Sequence, residues 1–297
     1  MTAQLFDGYY FAHGCGRPYA RDAEWQAHFG RIADAIVAEL QPQSVLDVGC
    51  AIGLLVEALR VRGVEAYGVD VSAYAISQVH PSVRDFCRLG EAAEPFGRRY
   101  DLIVCIEVLE HLPPEGAQPA IANFCRHADR VLFSSSPFDY VELTHFNVQP
   151  PSYWAKLFAQ QGFYRDVDLD AGFLTPWAVC FRRRSDPPAA IIADYERRHW
   201  LMLQESRARQ QVNLEQRGQL AALAEEIAEL RSNNPAAAQA HAEAQALRAR
   251  LDAIDQSAGG RLLARLQALR AALAPPGSAR DHTLDEILRR FVGPKAS

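Results

Sequence analysis

Two segments in the first quarter of the chain combine glycines and carboxylates in a pattern that suits a nucleoside ligand. Residues 44–53 read as a strand that runs into a turn with Gly49 and Gly53 and then into a helix. Glycines let the backbone approach a ligand closely, and a helix N-terminus supplies unpaired N–H groups. The next strand ends at Asp70, where a carboxylate can accept hydrogen bonds from both ribose hydroxyls.

The same turn discriminates between nucleoside ligands. A dinucleotide site needs Gly-x-Gly-x-x-Gly so that a pyrophosphate can lie against the turn. Here only Gly49 and Gly53 are present, and Asp47 would face any phosphate placed there. A carboxylate repels phosphate but suits a ligand that carries an ammonium group and a sulfonium. The turn therefore favours S-adenosyl-L-methionine over a nicotinamide dinucleotide.

Two histidines are candidate general bases for such a ligand's chemistry. His111 follows the fourth predicted strand, and His145 lies in the loop after the fifth. Both positions fall at the carboxyl edge of a parallel sheet, where ligands of such folds bind. A hydroxyl that receives a methyl group must lose its proton, usually to a positioned base or with help from a metal. The structural alternative is that His111 orders the start of a helix and that His145 is an ordinary loop residue.

A divalent metal is a second hypothesis for the same histidines. Glu107, Glu110 and His111 stand at i, i+3 and i+4, which places them on one face if a helix begins near Glu107. With His145 arriving from another loop, the set holds two carboxylates and two imidazoles. Both the metal and the metal-free interpretation stay open at this point.

The elements that position these residues follow from the apolar pattern. Apolar strands alternating with helices up to about residue 184 predict an α/β fold with a parallel sheet covered on both faces. The last two strands are joined by a loop without a helix, which predicts a final hairpin and an antiparallel strand at the end of the sheet. The predicted strands are 44–48, 66–71, 83–87, 100–106, 130–134, 164–169 and 177–182, and the predicted helices are 25–40, 53–62, 73–79 and 119–127.

The composition changes at Ser-Asp-Pro-Pro (185–188), which predicts a domain at 1–184 and a helical extension at 185–297. Four residues at 3-4-3 spacing, 220, 223, 227 and 230, form a short coiled-coil pattern. We expect self-association or a partner helix through residues 200–255, or folding back on the first domain. A leucine stripe at 261–273 suits peripheral contact with a membrane, a partner protein or neighbouring helices, and a short helix is predicted at 284–291.

Bulk composition narrows the environment and the partners. The six cysteines are scattered without a C-x-x-C pair, which indicates reduced thiols and a cytoplasmic protein. No apolar run is long enough to span a bilayer, and the N-terminus lacks the pattern of a secretion signal. The first 184 residues carry 22 Asp and Glu against 16 Lys and Arg, so nucleic acid is an unlikely substrate.

Three motifs together resemble the class I S-adenosylmethionine-dependent methyltransferases. They are 45–53 (Val-Leu-Asp-Val-Gly-Cys-Ala-Ile-Gly), 68–70 (Gly-Val-Asp) and 101–112 (Asp-Leu-Ile-Val-Cys-Ile-Glu-Val-Leu-Glu-His-Leu). Ala51 departs from the glycine that is commoner at its position. The resemblance covers roughly residues 9–184 and implies a Rossmann-like, seven-stranded sheet whose last strand is antiparallel.

The resemblance also implies roles for individual residues. Gly49, Cys50 and Gly53 would line the cofactor, and Asp70, with Val71 beside it, would hold the ribose. In the same resemblance, Glu91 would meet the adenine amine and Glu107 would flank the methionyl end. The set Glu107, Glu110, His111 and His145 resembles the divalent-metal site of small-RNA 2′-O-methyltransferases, which grips a vicinal diol.

A finer resemblance concerns the acceptor. Residues 9–10, 14–19 and 144–151 are similar to methyltransferases that accompany cell-surface polysaccharide assembly. This implies O-methylation of a sugar or glycan intermediate. Two alternatives remain: methylation of another small molecule on oxygen or nitrogen, and a helical assembly protein that binds the cofactor without turning it over.

Overall fold

Seven strands form one mixed sheet. In chain order they are β1 Ser44–Val48, β2 Glu65–Asp70, β3 Cys87–Leu89, β4 Leu102–Ile106, β5 Arg130–Ser134, β6 Phe163–Arg165 and β7 Val179–Arg183. Their order across the sheet is β3-β2-β1-β4-β5-β7-β6. β1 to β5 pair in parallel, and β7 runs antiparallel to both β5 and β6. The predicted α/β sheet with an antiparallel last strand is confirmed.

Eight helices accompany the sheet in the described part of the chain. They are α1 Gly8–His13, α2 Ala23–Leu40, α3 Leu54–Val61, α4 Ala73–Ser77, α5 Pro114–His127, α6 Pro151–Ala159, α7 Pro188–Asn233 and α8 Pro235–Asp255. The computed structural model describes residues 2–257, 259, 261–262, 265–266 and 268–269. The predicted helix at 284–291 lies outside these residues, and the stripe at 261–273 lies within them only in part.

The sheet is covered on both faces because successive strand residues point to opposite sides. Val45 of β1 and Val104 of β4 belong to an apolar cluster that includes Ile36 of α2. Their neighbours Leu46 and Ile103 belong to a second cluster on the other face, formed with α5 and α6. These two layers fix the strands, so the carboxyl ends of β1, β2, β4 and β5 meet at one edge.

Two details of the predicted sheet are wrong. The strand expected at 83–87 is a 3₁₀ turn over Arg84–Phe86, and β3 starts only at Cys87. The reason is pairing, since β3 must lie beside Gly68, Val69 and Asp70 of β2. The antiparallel strand β7 does not lie at the end of the sheet, because it is inserted between β5 and β6.

The chain divides into two compact units, Met1–Gln204 and Glu205–Ser297. The start of α7 packs within the first unit: Ile191 is buried, and the hydroxyl of Tyr195 accepts the backbone N–H of Arg165 at 3.1 Å. The domain boundary at residue 184 stays a prediction. Within the described residues, no helix combines the length and the apolar character that crossing a bilayer requires.

Candidate active site

The glycine turn between β1 and α3 exposes bare backbone at the carboxyl edge of the sheet. Gly49 and Gly53 both lie in the left-handed region, at φ +80° and +78°. A Cβ atom on Gly49 would lie 2.3 Å from Cγ2 of Val108, so no side chain fits there. Ala51 also has a positive φ, +48°, a conformation that costs a residue with a Cβ about 1–2 kcal/mol.

Asp70 joins the end of β2 to this turn. Its Oδ2 accepts the backbone N–H of Ala51 at 2.8 Å, and its Oδ1 accepts that of Ser72 at 2.7 Å. Each carboxylate oxygen has about two acceptor sites, so both can still accept a ribose hydroxyl. Burial raises the pKa of Asp70, and backbone N–H groups, including that of Val71, partly offset this.

Asp47 places a second carboxyl group beside the first. It is buried on β1, where it lies opposite Gly68 of β2 and Val104 of β4. Burial, and then the charge of Asp70, raise the pKa of Asp47 to about 8. Two neighbouring buried carboxylates are costly unless a cation lies near them. The pair therefore fits a ligand with an ammonium group and a sulfonium and disfavours a phosphate.

Two predicted cofactor contacts need a different account. The Cys50 side chain is buried in the core, where a Cβ on Gly68 would lie 2.6 Å from its Sγ atom. Only the backbone of Cys50 can therefore line a ligand. Glu91 is exposed in the loop after β3, with its backbone N–H donating to Oε2 of Glu94 at 3.4 Å. Its contact with adenine stays a prediction.

The prediction that Glu107, Glu110 and His111 lie on one helix face is wrong. Leu109–His111 is a 3₁₀ turn, and Leu112 is extended at φ −88° and ψ 144°. The cause is Pro113, because a proline disfavours helical conformation in the residue before it. The next helix, α5, begins only at Pro114. The residues at i, i+3 and i+4 are therefore not arrayed along one helix face.

The two glutamates of that segment occupy different environments. Glu107 has a positive φ of +51°, and its Oε1 accepts the indole N–H of Trp177 at 2.9 Å. Glu110 is fully buried, and its Oε1 accepts the backbone N–H of Ser136 at 3.2 Å. Burial, and then the neighbouring Glu107 carboxylate, raise the pKa of Glu110 well above its ordinary value. This favours the neutral acid, which is a poor metal ligand.

His111 and His145 come together as the sequence predicted. Their ring centroids are 4.6 Å apart. His111 Nδ1 lies 3.1 Å from the carbonyl of Thr144, whose hydroxyl donates to Glu142. The Thr144 hydroxyl oxygen also lies 3.0 Å from Nδ1 of His111. Because the proton of that hydroxyl goes to Glu142, Nδ1 carries its own proton and Nε2 keeps a lone pair. Burial, and then the nearby His145, lower the pKa of His111 to about 4, so its neutral form prevails near neutrality.

Glu142 is a member of this cluster that sequence reasoning missed. Its Oε2 lies 3.2 Å from Nε2 of His145, whose Nδ1 donates to the carbonyl of Asp139 at 2.9 Å. One ligand atom each from His111, Glu142 and His145 lie within 4.8 Å of one another, so the three could hold a metal ion. Glu107 and Glu110 are not in that group. The Glu-x-x-His spacing at 142–145 was the available signal.

The N-terminal segment covers the histidines. The ring of Phe6 packs edge-on against His111 at 5.2 Å, and Tyr10 does so at 6.1 Å. Ser72, next but one to Asp70, donates its hydroxyl to the carbonyl of Phe6 at 2.5 Å. These contacts connect the segment that follows Asp70 with His111 and cover the His111 ring.

About half of the chain is similar to a known protein family. Residues 19–166 match a family model described as a methyltransferase domain. The matched segment contains the glycine turn, Asp70 and both histidines.

Part of this chain is also similar to curated O-methyltransferases. The ubiquinone biosynthesis O-methyltransferase of Alkalilimnicola ehrlichii is 31% identical over 151 residues, which cover 44% of this chain and 58% of that protein. The enzyme of the same name from Pseudomonas putida is 34% identical over 107 residues, covering 33% and 46%. The chain thus spans about half the length of the curated relatives it matches.

Solved structures resemble the methyltransferase domain at low identity. The magnesium protoporphyrin IX methyltransferase of Synechocystis is 20% identical with a TM-score of 0.47, covering 62% of this chain and 98% of that chain. A sugar N-methyltransferase from Streptoalloteichus is 14% identical with a TM-score of 0.45, covering 60% and 92%. Scores of this size carry no argument about the site.

Proposed function

We propose that this protein is an S-adenosylmethionine-dependent methyltransferase that methylates a hydroxyl oxygen. The observation that carries the proposal is the buried pair Asp47 and Asp70 at a glycine turn. Val108 packs on that turn, and its carbonyl accepts the backbone N–H of His111 at 3.1 Å, so the backbone of the base candidate is joined to the residue that contacts Gly49. The methyltransferase domain and the O-methyltransferases among its relatives support the proposal.

In this proposal the chain's residues bind, orient and deprotonate. Adenosylmethionine, when bound, supplies an electrophilic methyl group for in-line displacement. Asp70 holds the ribose, and Asp47 faces the positive end. Nε2 of His111 takes the hydroxyl proton as the oxygen–carbon bond forms, while the electrons of the broken carbon–sulfur bond stay on sulfur. The remaining proposed cofactor contacts are Gly49, Gly53, the backbone of Cys50, Val71, Glu91 and Glu107.

A divalent metal is a second proposal for the base. His111, Glu142 and His145 would hold it, and it would lower the pKa of an acceptor hydroxyl. Chelation decides between the two roles. If EDTA leaves turnover undiminished, the metal proposal is excluded. If EDTA abolishes turnover and added Mg²⁺ restores it, the metal proposal is supported.

The acceptor is proposed in two forms. The finer sequence resemblance favours a sugar or glycan intermediate of cell-surface polysaccharide synthesis. The structure offers an observation in favour of another small molecule with an apolar part. Five exposed apolar residues surround Glu142 and His145 in the loop after β5: Phe138, Tyr140, Val141, Leu143 and Phe146. The ubiquinone biosynthesis O-methyltransferases among the relatives also fit this second form.

Three further proposals come from the sequence. The acidic balance of the first 184 residues argues against nucleic acid as a partner. A cytoplasmic location agrees with six free cysteines, five of them buried. The third proposal is peripheral membrane contact through the leucine stripe at 261–273, which the structure describes only in part.

Methyl transfer with matched variants tests the proposal. We expect turnover on sugar nucleotides or on phenolic acceptors, with His111→Gln lowering kcat by about 10²–10⁴-fold. His199→Gln, which replaces an exposed imidazole on α7, is the control and should keep full turnover. Unchanged kcat in His111→Gln would contradict the base. Cofactor binding without transfer to any acceptor would favour the inactive assembly protein instead.

A further inference from the structure

The helix α7 continues beyond the first unit with an apolar stripe on its surface. All side chains described between residues 205 and 255 are exposed. Leu220, Leu223, Ile227 and Leu230 are among them, exposed by 46–66%. They lie on one side of the helix because their spacing is 3, 4 and 3 residues. Within the described residues this stripe has no apolar partner.

We propose that two copies of this chain pair through this stripe as a parallel, in-register coiled coil spanning residues 213–230, here called the seam. In heptad terms Leu220 and Ile227 occupy a positions, and Leu223 and Leu230 occupy d positions. One of these two a positions, Ile227, is β-branched and both d positions are leucine, and a β-branched residue at a with leucine at d favours two strands. A second copy therefore fits the seam by residue type.

Polar residues of the seam decide the orientation. One heptad upstream, Asn213 is at a and Gln216 is at d. In a parallel, in-register pair each meets its own counterpart, and the two amides can hydrogen-bond to each other. In an antiparallel pair centred on Leu220 and Leu223, Asn213 would face Leu230 and Gln216 would face Ile227. That arrangement buries amides against apolar side chains, which is unfavourable.

The same residues argue against a foreign apolar helix as the occupant, since it would also leave both amides unpaired. The seam ends upstream at Arg209, because two arginines would meet at that d position. Arg209 instead lies 4.0 Å from Glu205 of its own helix. Gly218, which has nothing within 4 Å of its Cβ position, faces outward at an f position and does not interrupt the seam.

Mass measurement on the full chain tests pairing. Sedimentation equilibrium should give twice the 33.0 kDa chain mass. Ile227→Lys should give the monomer mass, because the charge would be buried in the pair. The matched control is Leu214→Lys, an exposed leucine off the seam at a b position, which should stay dimeric. A monomer at every concentration, or loss of the dimer in the control alone, would overturn the proposal.

A disulfide tests the orientation. Leu230→Cys, in a Cys15→Ser background, should form a cross-linked dimer under mild oxidation, because position 230 faces itself in a parallel pair. In the antiparallel pair the two positions lie about 25 Å apart along the helix, beyond the reach of a disulfide. Glu225→Cys, at an outward f position, is the control and should stay uncross-linked. A dimer that Leu230→Cys does not cross-link would overturn the parallel arrangement.

Discussion

Backbone strain is concentrated where ligand atoms are expected. Among the described residues, the non-glycine positions with positive φ are Gln41, which follows α2, and two site residues, Ala51 and Glu107. Conformations of this kind cost about 1–3 kcal/mol each and persist only where the surrounding structure enforces them. Hydrogen bonds do so here, since Ala51 donates to Asp70 and Glu107 accepts from Trp177.

Gly49→Ala tests the close approach of backbone in the turn. The added Cβ would clash with Val108 and force a positive φ, so we expect a loss of about 2–4 kcal/mol in the free energy of unfolding and loss of cofactor binding. Gly63→Ala is the matched control. Its φ is +81°, but nothing lies within 4 Å of its Cβ position. Chemical unfolding and calorimetry measure both effects, and equal behaviour of the two variants would contradict the account of the turn.

Asp47 predicts proton release on cofactor binding. Its pKa of about 8 keeps the carboxyl group protonated in most molecules at neutral pH. A cationic ligand favours the carboxylate, lowers that pKa and sends the proton to solvent. Calorimetry at neutral pH in buffers of different ionisation enthalpy should show a release approaching about one proton per ligand. Asp47→Asn should abolish the release, and net proton uptake by the native protein would argue against this role.

At the scale of elements, the sequence predicted what burial alone decides. β1 and β5 match the predicted strands 44–48 and 130–134 because both are apolar runs buried on both faces. Prediction from the sequence failed where a neighbouring segment determines the local structure. The start of β3 is fixed by pairing with β2, and the turn at Leu109–His111 is fixed by the proline that follows.

The candidate site also contains residues that could be predicted from the sequence and one that could not. Asp47, Gly49, Gly53 and Asp70 lie in a strand–turn–helix signature, so their grouping could be predicted. Glu142 joins His111 through the fold of an irregular loop, so the Glu-x-x-His spacing at 142–145 indicates its proximity to His145 but not to His111.

The five exposed apolar residues in the loop after β5, here called the rim, give a prediction at the scale of elements. They are Phe138, Tyr140, Val141, Leu143 and Phe146. Replacing Val141 and Leu143, exposed by 88% and 92%, with serine should leave the unfolding free energy within about 0.5 kcal/mol. The KM for a phenolic acceptor with an alkyl chain should rise about 30-fold, because the two lost apolar contacts weaken binding by about 1 kcal/mol each. The KM for the acceptor without the chain should stay unchanged.

Val61→Ser, at an equally exposed position on α3, is the control for the rim and should change neither KM. If both acceptors lose affinity equally, or neither does, the rim does not contact an apolar part of the acceptor. The sugar or glycan form of the proposal would then be the stronger one.

At the scale of the whole molecule, the residues of the proposed chemistry and those of the proposed pairing belong to different units. The glycine turn, both carboxylates and both histidines lie within Met1–Gln204, and the seam lies within Glu205–Ser297. Loss of pairing through the seam should therefore leave cofactor binding at one site per chain. This separation allows the enzymatic and the assembly proposals to fail independently.

We propose that two strand-end carboxylates and bare backbone receive an adenosyl sulfonium rather than a pyrophosphate. Calorimetric titration of the purified chain tests it most directly. We predict binding of adenosylmethionine and of S-adenosylhomocysteine, no binding of NAD, and affinity about 10–100-fold weaker in Asp70→Asn, since hydrogen bonds to a charged group contribute about 1.5–3 kcal/mol. Preference for NAD, with no uptake of either adenosyl ligand, would contradict the claim.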